Sequence, residues 1–282
     1  MGGGVIAAKQ ALVHGAEPRD LVAVRLLVAA LLLALLLPWT IRSIPRPLRL
    51  GPVLVLALGG ATFWLAAFAE FEGLTRLPAG MLVVLLATGP VWVALIGWVV
   101  WRRVPGTVFR FALVFVVGGV SIMAAPLNAS LEALGVLAGL TSAVCFAVFL
   151  VLLESNRSVP TVLGFQLGMI GAAILTLALD PGSIGRLTSE GPDPGLVAAI
   201  GVAAALWAVL LGLGLAATDS VTTAIVVAVE PLVVAILAFV ILDEGLLARE
   251  IVGGAVVLVA VAAVAIQVGR AGEASGERVG ET

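Results

Sequence analysis

Glu230 stands about midway along an apolar run at 221–242, with Pro231 directly after it. An ionisable side chain at bilayer depth costs at least about 2.5 kcal/mol unless it is paired or hydrated, so such a residue marks a substrate or ion pathway by default. A carboxyl group that exchanges a proton there would also be able to couple solute movement to protons. The plainer reading is a glutamate bonded to its own helix, relieving the gap that Pro231 opens. Pro90, in Thr88-Gly89-Pro90, occupies the matching place in the first half, since 231 − 90 = 141 is half of the 282 residues. Proline inside a membrane helix frees a backbone carbonyl, which is tolerated where neighbouring helices or a cavity satisfy it. Paired kinks at corresponding positions point to a site near the midplane, between two repeats.

Lys9, the sole lysine, and Arg25 fall within the first and second apolar runs. Snorkelling to the interface is open to both. Arg25 is flanked by Val and Leu, and pairing inside a bundle with Glu230, Glu70 or a substrate carboxylate is equally open. Trp64 and Trp207 lie inside the third and eighth runs, away from the membrane faces where tryptophan anchors helices, so they either pack the bundle or line a cavity. Thr62, Thr88, Thr141 and Ser142 have interhelical hydrogen bonding as their ordinary use and substrate contact as the alternative. Glu154 and Arg157, near a loop, read as solvated. The single Cys145 and single His14 leave no material for a cysteine-based metal cluster or a structural zinc site, and no cofactor is expected.

Such residues need a membrane to position them. Apolar residues are 62% of the chain and charged residues 11%, against roughly 45–50% and about 25% in soluble domains. A mean hydropathy of +1.23 leaves no room for a sizeable soluble domain. A helix needs about 20 apolar residues to cross the hydrocarbon core. Runs of that kind lie at 20–40, 51–70, 77–101, 108–125, 132–153, 160–180, 194–217, 221–242 and 249–268, preceded by a short apolar stretch at 1–13. The pattern predicts an all-α integral membrane protein of ten transmembrane helices. Breakers such as Ile44-Pro45-Arg46-Pro47 and Glu190-Gly191-Pro192-Asp193-Pro194 fall between the runs. Ser220 reads as the N-cap of the ninth span and Pro78 as a first-turn residue of the fourth. Residues 269–282, small and polar, read as a disordered cytoplasmic tail. A net charge of −2 says little when most charges sit in loops, and no basic face supports nucleic-acid binding.

The 141-residue offset carries the sixth span, 132–153, onto positions −9 to 12, so the first helix is expected to begin upstream of Met1 and to be truncated here. A signal peptide, the rival reading of this stretch, lacks its basic n-region and cleavage site. With a cytoplasmic N-terminus, Arg42, Arg46, Arg49, Arg102, Arg103, Arg110, Arg157, Arg270 and Arg278 lie on the cytoplasmic side, and Arg19, Arg76, Arg186 and Arg249 opposite. That bias predicts that both termini are cytoplasmic, and Trp39, Trp98 and Trp101 fall at the same face. Five spans per half is an odd number, so the halves 1–125 and 132–268 enter the membrane from opposite sides as inverted repeats. Identities at the offset, among them Gly73/Gly214, Ala87/Ala228 and Pro90/Pro231, accord with the duplication.

Two five-helix halves, each with a helix-central proline, a short loop and a glycine-containing helix, resemble the EamA-domain branch of the drug/metabolite transporter superfamily. Val229-Glu230-Pro231 through Leu242-Asp243-Glu244 to Gly253 is similar to that family's proline-to-glutamate signature. Gly2-Gly3-Gly4 to Ala8-Lys9, Val24-Arg25-Leu26 and Thr88-Gly89-Pro90 look like the threonine/homoserine exporter subgroup. Two positions depart from the pattern. Arg103 stands where the first repeat often carries the signature glutamate, and Leu86 lies near a position where the subgroup tends to carry an acid. The resemblance covers essentially the whole chain. It implies a multi-pass protein of the inner or plasma membrane that exports an amino acid or related metabolite by alternating access. Its partners would be the solute, the bilayer and protons as a candidate coupling ion. A drug or toxic-compound exporter, or a metabolite permease of the same superfamily, is the alternative.

The residues expected to bind substrate or couple its movement are thus Glu230, Lys9, Arg25, Trp64, Thr88 and Trp207, with Pro90 and Pro231 as the helix kinks. A membrane-embedded enzyme would need a metal cluster or a nucleophile–base pair, and no His-Glu-x-x-His or Gly-x-Ser-x-Gly pattern is present. No nucleotide-binding motif is present either, so ATP is not the direct energy source.

Overall fold

An apolar run in lipid must satisfy every backbone donor and acceptor within itself, and the helix is the form that does so. The computed structural model of the chain describes every residue except 1, 43–48, 103–106, 125–129, 184, 186–192, 218–232, 235, 244, 246 and 281–282. Its helices begin with α1 (Gly2–Val13), α2 (Pro18–Arg42), α3 (Leu50–Leu58), α4 (Gly60–Leu74), α5 (Ala79–Leu86) and α6 (Gly89–Trp101). They continue with α7 (Thr107–Ala124), α8 (Ser130–Ser155), α9 (Thr161–Leu179) and α10 (Pro194–Ala217). Residues 236–242 are helical, and α11 (Ala248–Gly280) closes the chain. Glu230, Pro231, Ser220, Arg103 and Glu244 lie outside the described residues.

Among the described residues, five helical stretches are long and apolar enough to cross a membrane: Pro18–Arg42, Leu50–Leu74, Ala79–Val100, Ala133–Ser155 and Thr161–Leu179. Gly3–Val13, Arg110–Ile122 and Ala198–Gly214 are shorter apolar helices. Two spans expected as single helices are broken. The third parts at Gly59, between α3 and α4, where the Thr62 hydroxyl donates to the Gly59 carbonyl at 2.8 Å. The fourth parts at Ala87–Thr88, just ahead of Pro90, the second residue of α6. A proline has no N–H for the carbonyl four residues back and its ring crowds that carbonyl, so the helix breaks on the N-terminal side of it. Pro78, ahead of α5, takes an extended ψ of 144° and caps that helix.

The disordered tail expected at 269–282 is helical over 269–280, as a continuation of α11. Extending an existing helix adds one hydrogen bond per residue fixed and avoids the costly nucleus, which outweighs the polar composition.

The interior is built where small residues let helices approach. α4 packs on α8 and α9, α2 packs on α9 and α10, and α1 packs on α10. At Gly60 a Cβ would lie 2.5 Å from the Ala172 amide nitrogen and 2.6 Å from the Gly168 carbonyl, so only glycine lets α4 meet the α9 backbone. α7 and α11 pack chiefly on each other, beside this core. Outside faces are apolar: Leu31, Leu35, Phe111, Phe239 and Val259 are all exposed, as expected where lipid is the solvent.

The repeat is visible in the backbone. Arg102, closing α6, has φ 53°, and Asp243, following the helical residues 236–242, has φ 55°. These are the non-glycine left-handed residues among those described, and 243 − 102 = 141. A left-handed residue just past a helix end satisfies its last carbonyls, and the two halves do this at equivalent positions.

Candidate functional site

Charge inside a bundle must be neutralised locally, and α2 and α4 do so. Arg25 Nη1 donates to Glu70 Oε2 at 2.6 Å, with the two side chains only 7% and 5% exposed. The Arg25 guanidinium also lies 5.5 Å from the centroid of the Phe71 ring, a cation–π contact from the residue after its partner. Of the options open to Arg25, the structure selects pairing with Glu70 and excludes snorkelling. Removing one partner of a buried pair strands the other charge, at about 3–5 kcal/mol.

Lys9 reaches the same end of α4. Its Nζ donates to the Leu74 carbonyl at 2.8 Å and to the Leu77 carbonyl at 2.9 Å. Those carbonyls belong to the last turn of α4 and the turn beyond, where the backbone lacks internal donors and the helix dipole is negative. The ammonium therefore ties α1 to the end of α4, one turn past Glu70.

A small void of ≈ 10 Å³ adjoins the ion pair, about the space one water needs. Gly4 and Val5 of α1, Arg25 of α2 and Glu70 and Phe71 of α4 form one side of it. Ile200, Ala203 and Ala204 of α10 form the other. The charged pair thus sits where helices of the first half meet a helix of the second.

The other sequence candidates are distributed. Trp207 belongs to an aromatic cluster spanning α4, α8, α9 and α10. Its ring lies 5.4 Å from Phe146, 6.0 Å from Phe165 and 6.5 Å from Phe63, and Phe63 packs edge-on against Phe149 at 5.2 Å. Trp64 is stacked on Phe68, with ring centroids 5.5 Å apart, and its buried Nε1 has no hydrogen-bond partner among the described residues. Thr88 is fully buried at the α5–α6 break; its hydroxyl donates to the Leu85 carbonyl at 2.7 Å and accepts from Trp92 Nε1 at 3.0 Å. Ser142 makes the interhelical bond expected of such residues, to the Ala66 carbonyl at 2.8 Å. Glu154 and Arg157 form an exposed pair at 2.7 Å. The structure therefore gathers Lys9 and Arg25 around the C-terminal part of α4, and leaves Thr88 and the two tryptophans elsewhere.

Gln166 was not among the sequence candidates. It is 1% exposed on α9, and its Nε2 donates to the Leu33 carbonyl at 3.3 Å and to Thr40 Oγ1 at 3.1 Å, bracketing Pro38 of α2. Its Oε1 is buried and has no partner among the described residues. The signal was available: Gln166 is the one amide in the run 161–179, and a buried amide needs partners for the same reason a charge does.

The EamA-like transporter family model matches this chain twice, over residues 1–125 and 132–266. No curated protein matches it. A crystal structure is similar over 95% of this chain and 95% of its own, with a TM-score of 0.56 at 16% identity, a likeness that carries the fold alone. Two matched domains cover nearly the whole length, and the chain belongs to the EamA-like transporter family.

Proposed function

We propose that this protein is a secondary transporter that exports a small organic solute, an amino acid or related metabolite, by alternating access. The observation that carries the proposal is the buried Arg25–Glu70 pair, standing beside a void between α1, α2 and α4 of one half and α10 of the other. Intramembrane ionisable residues mark solute or ion pathways, and transporters built from repeats place their sites at the repeat interface. In this reading ten spans form two inverted five-helix repeats, with both termini cytoplasmic in the cell's inner or plasma membrane. Packing supports the inversion: α4 lies on α8 as α1 lies on α10, and α4 lies on α9 as α10 lies on α2. Exchanging the halves turns each of these contacts into the other. Gly60 and Gly201 add to this, since 201 − 60 = 141 and they meet α9 and α2 respectively.

Glu230 is the proposed proton-coupling group, Pro90 and Pro231 the paired kinks, and Thr88 and the tryptophans the nearest polar and aromatic lining. The threonine/homoserine exporter subgroup supplies the substrate class. The aromatic cluster around Trp207 favours a second reading, a drug or toxic-compound exporter that takes apolar or aromatic solutes. Purified protein in liposomes, tested for uptake of labelled amino acids, aromatic cations and metabolites with and without a pH gradient, separates the two. Glu230→Gln should abolish uptake or remove its dependence on the gradient while expression is intact. Uptake of no solute in the panel, or uptake by Glu230→Gln with unchanged pH dependence, would overturn the solute class or the coupling role respectively.

A further inference from the structure

α7 and α11 meet where side chains vanish. A Cβ at Gly119 would lie 2.7 Å from the Gly253 carbonyl and 2.7 Å from Val257 Cγ2, so the two backbones touch there. Towards the start of α7 the facing residues stay small. Ala112 and Ala260 are buried, while Val108, Phe111, Phe115 and Val259 stand exposed on either side. Small floor and tall walls leave an open apolar groove of ≈ 440 Å³, within the range of about 300–1,000 Å³ over which proteins hold small ligands. It follows α7 from Val108 to Phe115, roughly 10 Å at 1.5 Å per residue, against about 15 Å for half the hydrocarbon core.

The mouth of the groove is cationic. Arg110 is exposed in the first turn of α7, with its guanidinium donating to Thr107 Oγ1 at 3.2 Å, and Arg102 is exposed at the end of α6, on the same side of the membrane. Arg270 lies on α11 about two turns beyond Ala263, at that same end. Lipid tails are as apolar as the groove, so burial alone selects no occupant. Shape must select a chain and charge must select its head. A second copy of the protein seated symmetrically here would bring its own arginines against these, and like charges disfavour it.

We propose that this groove holds one acyl chain of an anionic phospholipid, with its phosphate at Arg110 and Arg102. The site is separate from the Arg25–Glu70 pair and from solute transport. The experiment is native mass spectrometry of the purified full chain with phosphatidylglycerol or phosphatidylcholine of matched chains. One phosphatidylglycerol is expected to be retained per protein in preference to phosphatidylcholine. Arg110→Gln should reduce that preference about fivefold, from about one kcal/mol per basic residue at the surface. Ala255→Leu, which fills the groove from an exposed position, should remove the retained lipid while the folded mass and charge-state distribution are unchanged. Equal retention of the two lipids, an unchanged preference in Arg110→Gln, or retention in Ala255→Leu would each overturn the proposal. So would displacement by glycerol phosphate alone, which engages the head and not the groove, or a dimer that excludes lipid.

Discussion

Arg25 on α2 and Gln166 on α9 hold the same place in the two repeats, since 166 − 25 = 141. Both are buried to within a few per cent, yet they are used differently. Arg25 carries a full charge and meets Glu70 within its own half, on α4. Gln166 is neutral, reaches across to α2 of the other half, and leaves one oxygen without a partner among the described residues. Gly89 and Glu230 differ in the same way beside the paired prolines, neutral in one half and ionisable in the other. Duplication has kept the backbone positions, down to the left-handed residues at 102 and 243, while the chemistry has become one-sided. Symmetry can supply two interconverting arrangements of the bundle, but a directed, ion-coupled step needs charge that is not duplicated.

The largest expected effect tests the charged member of that comparison. Arg25→Gln leaves the Glu70 carboxylate buried without its cation, and should lower stability by about 3–5 kcal/mol, read as the unfolding midpoint in mixed micelles. The double change Arg25→Met with Glu70→Leu should recover most of that loss, because an apolar pair of similar volume needs no neutralising partner. If the double variant stays as unstable as the single one, the pair is not what holds α2 to α4.

Next come the glycines that keep the repeats in register. Gly60→Ala places a methyl group 2.5 Å from the Ala172 nitrogen, and Gly201→Ala places one 2.3 Å from Val28 Cβ. Neither neighbour is the free end of a long side chain, so each substitution should cost about 1–3 kcal/mol through forced backbone shifts. Gly118→Ala, on a face with nothing within 4 Å, should be neutral or slightly stabilising. A neutral Gly201→Ala beside a costly Gly60→Ala would show that the two close contacts are not equivalent.

Much of this arrangement is legible in the sequence, for physical reasons. Run length alone marks the helices, because lipid leaves one local solution for the backbone, and Pro90 marks the break that the fourth span contains. The Gly59 break is harder to read: its cause is the approach of α9 to Gly60, a contact made far along the chain. Glu70 could be named as one partner for Arg25 but not chosen, since choosing requires knowing which faces of α2 and α4 meet. Lys9 reads as a candidate substrate ligand, and its observed partners are the backbone carbonyls of Leu74 and Leu77, which carry no sequence signal at all.

The smallest effect falls on Gln166 and sharpens the opening contrast most. Its two hydrogen bonds are long, at 3.3 and 3.1 Å, and its unpaired oxygen is itself a cost of burial. Gln166→Leu removes all three groups at similar volume. Interhelical hydrogen bonds in membrane bundles average about 0.6 kcal/mol, and relief of the unpaired oxygen offsets part of that. Stability within about 1 kcal/mol of the parent is therefore expected, with the same unfolding measurement used for Arg25→Gln. A loss as large as that of Arg25→Gln would erase the distinction, because it would mean that the amide, bridging Leu33 and Thr40 across Pro38, holds the two halves together as strongly as an ion pair holds one of them.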